Sequence, residues 1–112
     1  MLDLEIKSWL YDILQSIIEI ESYFDDNYTF EMYVNDIKTK RAVERDLEII
    51  GEAVNRIVKK EPDFSLSDAY QIIGTRNRII HGYDVISNEL IWSILEVNIP
   101  KLKKEVSEFL GE

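Results

Sequence analysis

The strongest constraint on the fold is the spacing of the apolar residues, which repeats at the period of an α-helix. Two series advance in alternating steps of about four and three residues. They are Ile6, Leu10, Ile13, Ile17, Ile20 and Phe24, and then Val43, Leu47, Ile50, Val54 and Ile57. No segment alternates apolar and polar residues for long enough to require a strand. The sequence therefore predicts an all-α protein with one long helix before Asp25 and another over about Ile37–Lys60.

Capping and turn signals predict three further helices. A short one is expected at residues 29–35. The Ser-x-x-Asp pattern that begins at Ser65 resembles a capping box and predicts a helix that ends near His81. A last helix should run from Glu89 to about Leu110, and Pro100 should kink or divide it. The expected architecture is an up-and-down bundle of four long helices plus one short helix.

Composition limits the classes of protein to consider. The chain has 112 residues, of which 46% are hydrophobic and none is cysteine. This is enough apolar material for one packed core, so we expect a single domain over residues 1–112 and exclude a disulfide scaffold or a thiolate metal site. The N-terminus shows no signal-peptide pattern, and no stretch suits a membrane span. We therefore expect a cytoplasmic protein that does not contact a membrane.

The charge is negative overall but unevenly distributed. The formal net charge is −9, which argues against nucleic-acid binding through a broad basic face. Residues 1–36 contain nine acidic residues and only Lys7 as a base, whereas residues 37–112 contain 13 acidic and 12 basic residues. Any anion site should therefore be a local pocket in the second part. The acidic first part is either a solvated face or a docking surface for a basic partner.

One segment, residues 72–84, combines the chain's only histidine with two of its five arginines. Arg76 lies among Ile72, Ile79 and Ile80, and a guanidinium in such surroundings needs an acceptor because burial without one is costly. It either pairs with a carboxylate of a neighbouring helix, such as Glu52, or binds an anion. Apolar residues lie on two sides of this helix, so one side can face the bundle and the other suits a second subunit.

The position of His81 is also open to two interpretations. It is either a histidine stabilised by the helix C-terminus or a catalytic group. Asn77 precedes it by four residues, so its amide can orient the imidazole. Arg76 and His81 lie about 140° apart on an ideal helix and do not converge within one chain. Metal-free cleavage of a phosphodiester needs both a base and an acid, and one histidine per chain can supply both only if a dimer brings two together.

The pattern Arg76-Asn77-x-x-x-His81-x-Tyr83 resembles the Arg-x4-His-x-Tyr motif of HEPN-domain proteins, specifically their HepT-like toxin branch. Residues 9–14, 36–43, 47–53 and 91–94 also resemble that family's successive helices, so the similarity covers essentially the whole chain. The resemblance implies a homodimeric, metal-independent ribonuclease with two motifs in one cleft and no cofactor. It places Arg76 and His81 in the catalytic positions, with Asn77 as a supporting polar group.

The same resemblance implies a partner. HepT-like toxins are encoded beside a minimal nucleotidyltransferase, the MntA-type antitoxin of type VII-like toxin–antitoxin pairs. This partner silences the toxin by adding AMP to the motif tyrosine, which corresponds here to Tyr83.

Two other functions are compatible with these residues. The chain is alternatively a non-catalytic nucleotide- or RNA-binding partner subunit of a nucleotidyltransferase, which its acidic balance favours. It is otherwise a structural helical dimer in which Arg76 and His81 are satisfied interface residues.

Overall fold

The computed structural model describes residues 2–81 and 86–112, and the regular secondary structure of these residues is entirely helical. The helices are α1 (Leu4–Ser22), α2 (Phe30–Val34), α3 (Ile37–Lys60), α4 (Ala69–His81), α5 (Asn88–Ser93) and α6 (Ile99–Leu110). A π-helical turn, Ile94–Asn98, joins α5 directly to α6, so the three segments form one long last helix. The predicted all-α bundle of four long helices and one short helix is confirmed.

The two long apolar stripes form the centre of the core. Every member of both series is buried except Phe24, which packs against the core at its edge. Helix α3 packs against α1 and against α4, and α1 also packs against α6. Asp3 begins α1 by accepting hydrogen bonds from the backbone N–H groups of Glu5 and Ile6, at 2.8 and 3.2 Å. Helix α3 therefore lies between α1 and α4, and its packing against α1 supports the side on which α4 lies.

The last helix is divided near Pro100, as predicted, and the division takes the form of a π turn. Proline has no backbone N–H, and its ring collides with the carbonyl four residues earlier in a regular α-helix. The wider π turn just before it accommodates this conflict. Within the turn, the buried Asn98 donates its Nδ2 hydrogen to Asp68 Oδ2 at 2.9 Å. The last helix is therefore linked to the residue that precedes α4.

The start of α4 differs from the capping-box prediction, which is wrong. The helix begins at Ala69, and Ser65 is exposed outside it. The backbone N–H of Ser67 donates to the Glu105 carboxylate of α6, at 3.1 and 3.3 Å. Asp68 has a φ of 61°, in the left-handed region. Contacts with α6 and Asn98 therefore set the start of the helix.

Helix α4 buries one side and exposes another. Ala69, Ile72 and Thr75 are buried, on the side that packs against α3. Tyr70 is 81% exposed and Ile80 is 47% exposed. The described residues of this chain therefore leave Tyr70 and Ile80 uncovered, and the second subunit expected on one apolar side of this helix stays a prediction.

Candidate active site

The position of Arg76 depends on the close contact between α3 and α4 at Gly51. A Cβ atom built on Gly51 would lie 2.3 Å from Arg76 Cβ and 2.8 Å from Arg76 Cγ. Any side chain at this position of α3 would therefore displace the arginine. Because glycine stands there, the stem of Arg76 lies directly against the α3 backbone.

The guanidinium of Arg76 is held on two sides. Its Nη2 donates to Glu52 Oε2 at 2.5 Å, and its Nη1 donates to Asn77 Oδ1 at 2.9 Å. The other carboxylate oxygen of Glu52 accepts from Arg56 Nε at 3.0 Å. Of the two expectations for Arg76, the pairing with Glu52 is present. Since two arginines share one carboxylate, this group of three side chains carries one excess positive charge.

Arg76 is partly buried, with 24% of its side chain exposed. Within the described part of the chain, its buried Nε–H has no hydrogen-bond acceptor. An unpaired buried donor of this kind costs about 1–3 kcal/mol of folding free energy. Because buried polar groups without a partner are uncommon in folded proteins, Arg76 is a candidate functional group.

A groove of ≈ 300 Å³ lies beside this arginine, between α1, α3 and α4. Three arginines, three carboxylates and several apolar side chains line it. They are Trp9, Asp12, Arg45, Glu48, Ile49, Glu52, Ala53, Arg56, Arg76 and Ile80. Although the chain is strongly acidic overall, acidic and basic groups balance in this groove.

His81 is the last residue of α4 and is exposed. It follows Arg76 by five residues, so the two side chains leave the helix about 140° apart. Asn77 hydrogen-bonds to Arg76 and also lies one turn before His81. The fold of one chain therefore joins Arg76 and Asn77 and presents His81 on a different side of the helix. Tyr83, the predicted modification site, lies outside the described residues.

Residues 2–81 and 86–112 contain no group of three or more histidines, aspartates or glutamates arranged to hold a metal ion. Across the same residues, every helix is too short or too polar to cross a membrane.

Sequence reasoning named Glu52 as a possible partner of Arg76 but missed the part played by Gly51. The available signal was a glycine inside a long helix, next to the apolar stripe position Ile50. Glycine there destabilises the helix by about 1 kcal/mol relative to alanine, so its presence hints at a close approach of another element.

Comparison with known proteins identifies the family to which this chain belongs. A family model described as "Ribonuclease HepT-like" matches residues 13–109. "Putative RNase MJ0127" of Methanocaldococcus jannaschii is 34% identical over 96% of this chain and 89% of its own length. "Probable ribonuclease HepT" of Thermococcus cleftensis is 34% identical over 87% of this chain and 88% of its own length. No solved structure matches the chain significantly. The chain belongs to the HepT-like ribonuclease family.

Proposed function

We propose that this protein is a metal-independent ribonuclease that works as a homodimer, with an active site made from both copies. The observation that carries the proposal is the state of Arg76, which is fixed by Glu52 and Asn77 beside an open groove. A preorganised guanidinium suits a phosphate and the charge that grows on it during cleavage. The names of the relatives support RNA as the substrate.

The need for two copies follows from the chemistry. Cleavage begins when a base removes the proton of the RNA 2′-hydroxyl, whose oxygen then attacks the neighbouring phosphorus. An acid protonates the leaving 5′-oxygen, and the products end in a 2′,3′-cyclic phosphate and a 5′-hydroxyl. Each chain has one histidine. Two copies of His81, one as base and one as acid, supply both proton transfers.

The exposed side of α4 supports this dimer. Tyr70, Asn77 and His81 are spaced by seven and four residues, so they share one side of the helix. Tyr70 is 81% exposed, and Ile80, the residue before His81, is 47% exposed. In the proposed dimer, these apolar groups pack against the second copy and bring the two histidines into one cleft.

The proposal extends to a toxin–antitoxin pair, on the basis of the family resemblance. The partner is a nucleotidyltransferase antitoxin of the MntA type, and it silences the toxin by transferring AMP from ATP to the Tyr83 hydroxyl with release of pyrophosphate. The attached AMP adds a negative charge and a bulky nucleoside two residues beyond His81, so it competes with RNA for Arg76.

A second candidate function is a non-catalytic RNA- or nucleotide-binding subunit of such a nucleotidyltransferase. The net charge of −9 favours it, since a free-standing ribonuclease gains from a more basic surface. Binding and cleavage need the same cleft, and only turnover separates them.

The test is an RNA-cleavage assay in the presence of a chelator, comparing wild type with His81→Ala. We expect wild type to cut RNA and to leave 2′,3′-cyclic phosphate ends, and His81→Ala to lose most activity while remaining folded. Cleavage that requires Mg²⁺, or that survives the loss of His81, contradicts the mechanism. RNA binding without cleavage by wild type favours the second candidate.

A further inference from the structure

We infer that Gly51 and Glu52 are positioning residues for Arg76, which fix its guanidinium in the orientation that binds the scissile phosphate. The inference rests on the proposed ribonuclease function and extends it to two residues of α3. Neither residue is proposed to touch the reacting atoms. They act through the placement of Arg76.

The first observation is steric. The Arg76 stem occupies the space that a side chain at position 51 would fill, at 2.3 Å from the position of a Cβ atom. The fit is specific to this glycine, because a Cβ atom built on Gly74, the helical glycine of α4, meets nothing within 4 Å. Gly51 thus leaves free the space beside α3 that the Arg76 stem occupies.

The second observation concerns the hydrogen bonds of the guanidinium. Once Gly51 has placed the stem, Glu52 on the next position of α3 binds Nη2, while Asn77 binds Nη1. The Arg76 side chain is only 24% exposed, and two hydrogen bonds to its planar guanidinium remove most of the rotational freedom of that group. Orientation of this kind lowers the entropy lost on reaching the transition state.

The third observation is the charge balance, which separates positioning from inhibition. A carboxylate that paired with Arg76 alone would cancel its charge and compete with the phosphate. Glu52 divides its two oxygens between Arg76 and Arg56, at 2.5 and 3.0 Å. Because one carboxylate is shared by two guanidinium groups, Glu52 can hold Arg76 without cancelling the whole charge of its guanidinium.

The experiment measures RNA cleavage by the full chain with Glu52→Ala, Glu52→Gln and the control Glu48→Ala. Glu48 lines the same groove but pairs with Arg45, so its replacement removes an equal charge without releasing Arg76. We expect Glu52→Ala to lower kcat by about 100-fold with KM little changed, because a misplaced catalytic group costs rate rather than binding. Glu52→Gln, whose amide oxygen still accepts from Nη2, should restore a large part of kcat.

Two outcomes would contradict the positioning role. Higher activity or tighter RNA binding in Glu52→Ala would show that Glu52 inhibits. Equal losses in Glu52→Ala and Glu48→Ala would show a general charge effect.

Gly51→Ala tests the steric part. We expect a kcat loss like that of Glu52→Ala, with light scattering showing the same assembly as wild type. An active Gly51→Ala overturns the steric part. If Gly51→Ala does not fold, the Glu52 series still decides the inference.

A measurement that does not need turnover separates this inference from the proposed function. In ¹⁵N-labelled protein, a guanidinium held on two sides gives separate Nη proton signals because its rotation is slow. We expect such signals for Arg76 in wild type and in Glu48→Ala, and their loss in Glu52→Ala. Their presence in a protein that cuts no RNA would refute the ribonuclease and keep the positioning role. Their absence in wild type would refute the positioning role itself.

Discussion

At the scale of single residues, Arg76 stands apart from the other arginines of the chain because its guanidinium is fixed rather than solvated. The side chains of Arg41 and Arg45 are 69% and 72% exposed and pair only with glutamates on their own helix, whereas Arg76 is 24% exposed and bonds across to α3. Exposed pairs of the first kind contribute little to stability. The bond to Glu52 of α3 fixes the position of the Arg76 guanidinium, as a phosphate-binding group requires.

The planar shape of Arg76 should matter as much as its charge. Arg76→Lys keeps the positive charge but replaces the two donor nitrogens of a rigid planar group with a single ammonium nitrogen, so kcat for RNA cleavage should fall by at least about 10-fold. Arg41→Lys, in an exposed ion pair on α3, is the matched control and should leave cleavage unchanged. Full activity of Arg76→Lys would mean that charge alone suffices.

Tyr83 carries the prediction about regulation. Tyr83→Phe should remain an active ribonuclease, because the proposed chemistry uses no tyrosine hydroxyl, and it should escape silencing by the cognate nucleotidyltransferase and ATP. Mass spectrometry of the wild-type protein after the same incubation should find AMP on the peptide that contains Tyr83. A silenced toxin with an unmodified Tyr83 would show instead that the partner inhibits by capture.

At the scale of helices, the contact between α1 and α3 contains a buried carboxylate that makes folding depend on pH. Asp46 of α3 is 2% exposed, and the Tyr23 hydroxyl, just beyond α1, donates to its Oδ2 at 2.6 Å. Burial raises the pKa of Asp46 to about 6, the Tyr23 hydrogen bond opposes this, and nearby Glu19 adds to it. The hydrogen bond to Asp46 in turn raises the pKa of Tyr23 to about 12.

Because the folded pKa of Asp46 lies above the unfolded value of 3.8, the folded state keeps a proton that the unfolded chain releases between these two pH values. The contribution of Asp46 to the free energy of unfolding therefore falls as pH rises from about 4 to about 6. Above about pH 6 the buried carboxylate destabilises the fold by its full amount. Asp46→Asn removes the titration, and its amide oxygen can still accept from Tyr23. Urea unfolding across this range should show Asp46→Asn gaining stability relative to wild type as pH rises. A difference that does not change with pH would contradict the assignment.

The helices also show how far sequence reasoning reaches. The limits of α3 are those predicted, Ile37–Lys60, because its apolar stripe and end signals are local in the chain. The start of α4 was mispredicted, because Glu105, 38 residues further along, takes the Ser67 N–H. Pro100 predicted a division of the last helix but not a π turn, whose form depends on the packing around it.

The candidate site also has one part that the sequence predicts and one part that it does not. A motif within one helix reveals Arg76, Asn77 and His81 in the sequence. The contact with Gly51 depends on how α3 and α4 pack, and that packing cannot be derived from helical periodicity. The sequence therefore yields the chemical groups of the proposed site, and the structure adds what holds them in place.

At the scale of the whole molecule, the proposed mechanism requires that two copies of His81 act together in one dimer. One chain presents a fixed Arg76 and, about 140° around the same helix, an exposed His81. In the proposed mechanism, a single chain supplies one histidine of the acid–base pair and the second copy supplies the other. The dimer itself should be evident as a mass of two chains in light scattering at micromolar concentration, and a monomer would contradict it.

The most direct test is a subunit-mixing experiment in chelator. Wild type and His81→Ala are unfolded together at equal concentrations, refolded so that dimers form at random, and assayed for RNA cleavage. If both histidines of a dimer are needed, only dimers of two wild-type chains are active, so cleavage should fall to about a quarter of that of an all-wild-type sample at the same total concentration. A fall to about one half, the fraction of wild-type chains, would mean that each chain acts alone and would contradict the composite site.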